Sequence, residues 1–134
     1  MKANEFKIGN YHYYHMEDKL DERKEWDEVC VIDAEDLVWL SSEKGKRDTD
    51  YSPIPLTEEW LRKLHSEDEL EKSARFPNEI TIYDRFLFIW KKEYKYWYVV
   101  TAYHKEYLTK IEFVHEYQNF IIILTDTELT IKKK

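Results

Sequence analysis

Apolar positions fall mostly in short runs, many with a period of two, and only twice at helical spacing. Residues 6–14 carry Ile8, Tyr11, Tyr13 and Tyr14 around Gly9-Asn10, which predicts a strand with a bend or bulge. Residues 29–32 and 37–40 are apolar runs separated by Asp33-Ala34-Glu35-Asp36, a hairpin-like pattern. Residues 17–28 have no regular apolar stripe and predict an exposed acidic loop or hairpin tip. Residues 80–83, 86–90 and 94–103 read as consecutive antiparallel strands, with turns at Asp84-Arg85 and 91–93. Residues 111–113 predict another strand and 128–131 a closing one, before the basic tail Lys132-Lys133-Lys134.

The first helical signal follows Pro53 and Pro55, which hold their predecessors extended. Thr57 caps, Glu58 and Glu59 occupy the first turn, and Trp60, Leu61 and Leu64 form the apolar face. Trp60 is therefore expected to be buried. Ser66 and Glu69 fit a capping box for a second short helix up to about Ala74. The second helical signal is Val114, Tyr117, Ile121 and Leu124, with Phe120 widening the face. Ile121-Ile122-Ile123 is β-branched and leaves a strand open there. The sum is a single α+β domain over residues 1–134, a twisted antiparallel β-sheet of about six to eight strands with two or three short helices.

Composition narrows the functional classes. A chain of 134 residues, 43% hydrophobic, can bury a core without a disulfide or metal. Cys30 is the single cysteine, which excludes an internal disulfide and suits a reducing cytoplasm. Two glycines leave no room for a phosphate loop or dinucleotide fingerprint. No apolar run is long enough to cross a membrane, and residues 1–7 have no apolar signal core. The net charge of -7 argues against a general DNA-coating protein. The charge is uneven: residues 1–75 sum to -8 and residues 76–134 to +1.

The most informative segment lies in the basic part. Trp90, Lys91, Lys92, Tyr94, Lys95, Tyr96, Trp97 and Tyr98 interleave aromatic and basic side chains, as single-stranded nucleic acid or a nucleoprotein partner would require. Strand alternation puts Tyr94, Tyr96 and Tyr98 on one face and Lys95, Trp97 and Val99 on the other. The structural alternative is a hairpin with one core face and one solvated face.

Other candidates carry less. His12 and His15, beside Glu17 and Asp18, are of metal-ligating type, but residues three apart on a strand face opposite sides. Asp84 with Glu93 and Lys95 imitates the carboxylate–lysine pattern of metal-dependent nucleases, a spacing common by chance here. His65 and His104 are isolated; His115 is expected to hydrogen-bond locally at a helix start. Cys30 reads as a small buried hydrophobe. No metal, cofactor or catalytic residue is expected. The acidic stretch 17–36, with ten acids against Lys19, Arg23 and Lys24, reads first as a solvated loop and second as a surface for a basic groove.

Three segments resemble one family. They are Ile8-Gly9-Asn10; Pro53-Ile54-Pro55-Leu56-Thr57-Glu58-Glu59-Trp60-Leu61; and Val114-His115-Glu116-Tyr117-Gln118-Asn119 with Leu124-Thr125 and Glu128-Leu129-Thr130. The chain resembles, in colinear order, short uncharacterised proteins of phages, prophages and mobile elements of Bacteroidetes. It departs from that pattern at Asp126, where those proteins usually carry glycine, and in the acidic stretch. The resemblance implies a helix over 114–124 and a setting in the cytoplasm of a bacterial host, but no catalytic residues. Phage proteins of this size often inhibit host defences. The expectation is therefore a non-enzymatic protein that binds a host protein or ribonucleoprotein, concretely an anti-CRISPR-like inhibitor. A single-stranded RNA- or DNA-binding module is the alternative and a metal-dependent nuclease the remote one.

Overall fold

Tyr11–Asp18 (β1) and Asp21–Val31 (β2) pair antiparallel, with Tyr11 opposite Val31 and Met16 opposite Trp26. The computed structural model describes residues 6–18, 21–45, 48 and 50–131. The stretch 17–28 is thus mostly paired strand, which corrects the loop in favour of the hairpin reading. Its charges offer little apolar periodicity, but the ladder to β1 satisfies the backbone whatever the side chains are. The basic tail at 132–134 lies outside the described residues.

The described chain divides into two compact units. One takes the residues up to Pro55 together with Phe113–Leu124; the other takes Leu56–Glu112 and the residues from Thr125. The expected α+β class holds, with eight strands in two antiparallel sheets and three α-helices among the described residues.

In the first unit the sheet order is β2-β1-β3, where β3 is Tyr51–Ser52. Ala34–Ser41 is a helix (α1), not the expected strand at 37–40. Asp33 explains the difference: its side chain accepts from the Asp36 N–H while Asp36 accepts from the Asp33 N–H. This reciprocal cap starts a helix that a four-residue apolar run cannot announce. Leu40 packs with Phe6 and Ile32 in the core, flanked by Leu37 and Tyr51. Beyond Ser42, Gly45 is required: a Cβ there would run into the Trp39 carbonyl.

Val114–Thr125 (α3) also belongs to this unit through Leu124, and settles the local ambiguity as helix. Val114, Tyr117 and Ile121 are fully buried, so packing of one face outweighs the β-branched run. Gln118 ties α3 to the chain before β1: its side-chain oxygen accepts from the Tyr11 N–H and its amide donates to the Gly9 carbonyl. The Asn10 amide donates to the Asn119 side-chain oxygen. These bonds hold residues 6–10 as a turn, with Gly9 at φ 95°, so the strand starts only at Tyr11.

In the second unit, Glu58–Leu64 (α2) begins at Thr57, whose hydroxyl accepts from the Trp60 N–H. Trp60, Leu61 and Leu64 are buried, as expected. The helix expected after Ser66 is one 3-10 turn, Glu67–Glu69, leading into Leu70–Lys72 (β4). The capping box forms, but Leu70 and its neighbours pair with Glu79–Ile82 (β5) instead of extending the helix. Phe86–Lys91 (β6), Tyr96–Thr101 (β7) and Tyr107–Ile111 (β8) complete the order β4-β5-β6-β7-β8. The strand expected at 111–113 thus lies earlier, while Phe113 bridges to Pro55 in the first unit. Residues 128–131 form no strand, although Leu129 is buried. Tyr83 and Asp84, at φ 55° and 54°, form the tight turn between β5 and β6.

Candidate functional site

The register of β6, β7 and β8 decides which aromatic and basic side chains share a surface. Lys91 is opposite Tyr96, and Tyr98 lies between Ile89 and Lys110. Directly paired residues project to one side of an antiparallel sheet, so Lys91, Tyr96, Tyr98 and Lys110 lie on one face. A register shift between Val99 and Val100 sets Tyr107 opposite Val100 and brings its ring to 4.9 Å from that of Tyr98.

The contacts on this face alternate between rings and cations. Tyr94 stacks on Tyr96 at 5.5 Å and 17°. The Lys91 ammonium lies 5.5 Å from the centre of the Tyr98 ring, and the Lys110 ammonium 5.5 Å from that of Tyr96. These distances fall within the range of cation–π attraction. Tyr94 is 65% exposed and Tyr107 55%, so ring surface remains open. Among the described residues, no ion pair involves Lys91, Lys92, Lys95 or Lys110.

Of the eight residues expected to bind, Lys91, Tyr94, Tyr96 and Tyr98 come together here. Lys92 and Lys95 are exposed in the β6–β7 turn, where Lys95 has φ 57°. Tyr94 and Lys95 precede the strand, so Lys95 does not share a strand face with Trp97, as simple alternation had it. Trp97 is on the opposite face and is core: it is 4% exposed, and its indole N–H donates to the Leu56 carbonyl at 2.9 Å. Trp90 lies opposite Trp97 in register, its ring 5.2 Å away. These two tryptophans line an open, mainly apolar groove of about 310 Å³ with Leu56, Thr57, Pro77 and Asn78. The sequence reading missed Tyr107 and Lys110. Placing the last strand at 107–111 would have put Lys110 in alternation with Leu108.

The remaining candidates separate. Asp84 lies in the β5–β6 turn and Glu93 in the β6–β7 turn, at opposite ends of the six-residue β6. That places them on the order of 20 Å apart, too far to share one metal ion. Among the described residues, no three histidine, cysteine or acidic side chains gather as a metal site. His12 is buried and His15 half-exposed; the His15 Nδ1 lies 3.2 Å from the Asp27 carboxylate.

His12 stacks on Tyr51 at 5.0 Å and 11°, and the Tyr51 hydroxyl donates to Asp36 at 2.7 Å. Burial lowers the His12 pKa, against the opposing pull of Asp36. Burial pushes Asp36 up, but the Asp33 N–H and the Tyr51 hydroxyl outweigh it and hold the carboxyl below its usual range. His65 is buried, its Nδ1 3.4 Å from Glu69 and its ring edge-on to Tyr83. His115 does not hydrogen-bond locally as expected: its buried Nδ1 has no partner among the described residues, and its ring lies 4.1 Å from Phe6 and 5.8 Å from Phe113. Cys30 is half-buried; burial raises its thiol pKa, with Glu28 and Asp36 adding to the rise, so it stays protonated.

Among the described residues, no helix is long and apolar enough to cross a membrane. Comparison with known proteins finds no matching family model, no matching curated protein and no matching solved structure.

Proposed function

We propose that this is a small phage or mobile-element accessory protein that binds a host macromolecule without catalysis. In its concrete form it inhibits a host defence nucleoprotein in the bacterial cytoplasm, in the manner of an anti-CRISPR protein. One observation carries the binding part: the face where Tyr94, Tyr96, Tyr98 and Tyr107 are interleaved with Lys91 and Lys110. Tyrosines supply contact area at low entropic cost, and lysines free of carboxylate partners are available to phosphates. The family resemblance supplies the biological setting.

The test is binding of the Lys91→Ala, Lys92→Ala, Lys95→Ala triple variant to candidate effector nucleoproteins, with and without guide RNA. These side chains are wholly or partly solvated, so the fold should persist. Binding to the RNA-loaded effector should weaken more than binding to the protein alone, because only the former loses phosphate contacts. Wild-type affinity in both cases would remove this hairpin from the interface.

The same ring–cation geometry favours a second reading, direct engagement of single-stranded RNA or DNA. A salt titration separates the two. Direct binding should be feeble for a chain of net charge -7 and should fall steeply as salt rises.

A further inference from the structure

The sheet of the first unit ends on β2, an eleven-residue strand, with β1 on one side and, among the described residues, no strand on the other. The hydrogen bonding shows which groups point outward. The Ile32 N–H donates to the Asn10 carbonyl, and the Ile32 carbonyl accepts from the Gly9 N–H, so Ile32 faces the β1 side. On the far side of β1, the His15 N–H donates to the Asp50 carbonyl beside β3, consistent with that alternation. Strand alternation then turns the backbone groups of Cys30 and Glu28 toward β1, and those of Val31, Val29 and Asp27 toward the open edge.

Natural sheets usually blunt such an edge with proline, a bulge or lysine. β2 carries Lys24, but residues 26–31 hold neither lysine nor proline: Val29 is 43% exposed and Val31 50%, with Trp26, Asp27 and Glu28 also exposed. Its sequence from 21 to 31 carries five acids against Arg23 and Lys24. An open row of backbone groups, exposed aliphatic side chains and a net negative charge together define what can pair there.

We propose that the β2 edge takes up one antiparallel strand from a basic partner, with lysine or arginine opposite Asp27 and Glu28 and aliphatic residues opposite Val29 and Val31. Main-chain hydrogen bonds would supply affinity, and charge would supply register and choice of partner. A second copy of this chain is disfavoured, since pairing two β2 edges joins two strands of the same net charge, five acids against Arg23 and Lys24 in each. The proposal is independent of the tyrosine–lysine face.

The test uses the intact protein labelled with ¹⁵N and the peptide Val-Thr-Val-Lys-Lys-Thr-Lys, blocked at both ends. Bound antiparallel, it sets two of its lysines against Asp27 and Glu28. Amide exchange at Asp27, Val29 and Val31 should slow by about tenfold or more at saturation, while the amides of Cys30 and Glu28, already bonded to β1, change little. The same peptide with glutamate in place of lysine should not bind. Methylation of the peptide amides that face β2 should weaken binding at least about tenfold. Val29→Pro removes an outward N–H without touching the ladder to β1 and should do the same; should that variant misfold, the methylated peptide decides alone. Equal binding of the two charge variants would overturn the proposal. So would binding that leaves these three amides unprotected, or concentration-dependent self-association that protects them without peptide.

Discussion

The indole N–H of Trp97 donates to the carbonyl oxygen of Leu56, and both residues are buried. A tryptophan that a sequence pattern offers to a partner is thereby committed to the interior. Trp97→Phe would strand that carbonyl and should cost about 1–3 kcal/mol. Trp97→Ala should cost about 3–5 kcal/mol. Urea unfolding measures both, and an unchanged midpoint would place Trp97 back among the binding residues.

His115 should give the fold a pH dependence. Burial lowers its pKa from 6.5 to about 4. The unfolded chain therefore takes up the proton first as pH falls. Stability from this group is full above pH 6.5, declines as pH drops from 6.5 toward 4, and changes no further below. A shift of this size corresponds to roughly 3 kcal/mol. The lowered His12 pKa acts in the same direction. His115→Leu should flatten the difference between urea midpoints at pH 7 and pH 5; an equal slope in both proteins would refute this assignment.

Asp126 follows the last residue of α3 with φ 57°, in the left-handed region. Glycine is the residue that adopts such a conformation at least cost. Asp126→Gly should therefore stabilise the protein by about 0.5–1 kcal/mol, read as a rise in Tm. A fall would mean that the Asp126 side chain contributes more than its backbone costs.

Lys110 tests whether the tyrosine–lysine face acts as a unit. It lies on β8, outside the hairpin that the sequence singled out, yet its ammonium lies over Tyr96. If a phosphate-bearing partner docks on this face, Lys110→Ala should weaken binding and reduce the salt slope by about one. Stability should change by no more than about 0.5 kcal/mol, since the side chain is exposed. Unaltered binding by Lys110→Ala alongside loss in the β6–β7 lysine variant would confine the interface to the turn.

The sequence by itself determined the α+β class, the Thr57-capped helix with buried Trp60, the turns bounding β6, and three of the four positions expected on the burial face of α3; Leu124 is exposed instead, while His115 and Gln118 are buried. These follow from contacts a few residues apart: a hydroxyl reaching N–H groups one turn on, or apolar side chains recurring at 3.6. Tertiary structure decided most of the rest. The apolar run 37–40 is too short to reveal its period, and the Asp33–Asp36 cap with burial of Leu40 made it helix. The hydrophilic segment 21–28 became strand because β1 offered a ladder. Trp97 and Tyr98 are neighbours of equal apparent promise, yet register with Trp90 and Ile111 sent one to the core, while register with Lys110 left the other on the candidate face. Register is a pairing between distant segments, and one residue of slip would exchange the two faces.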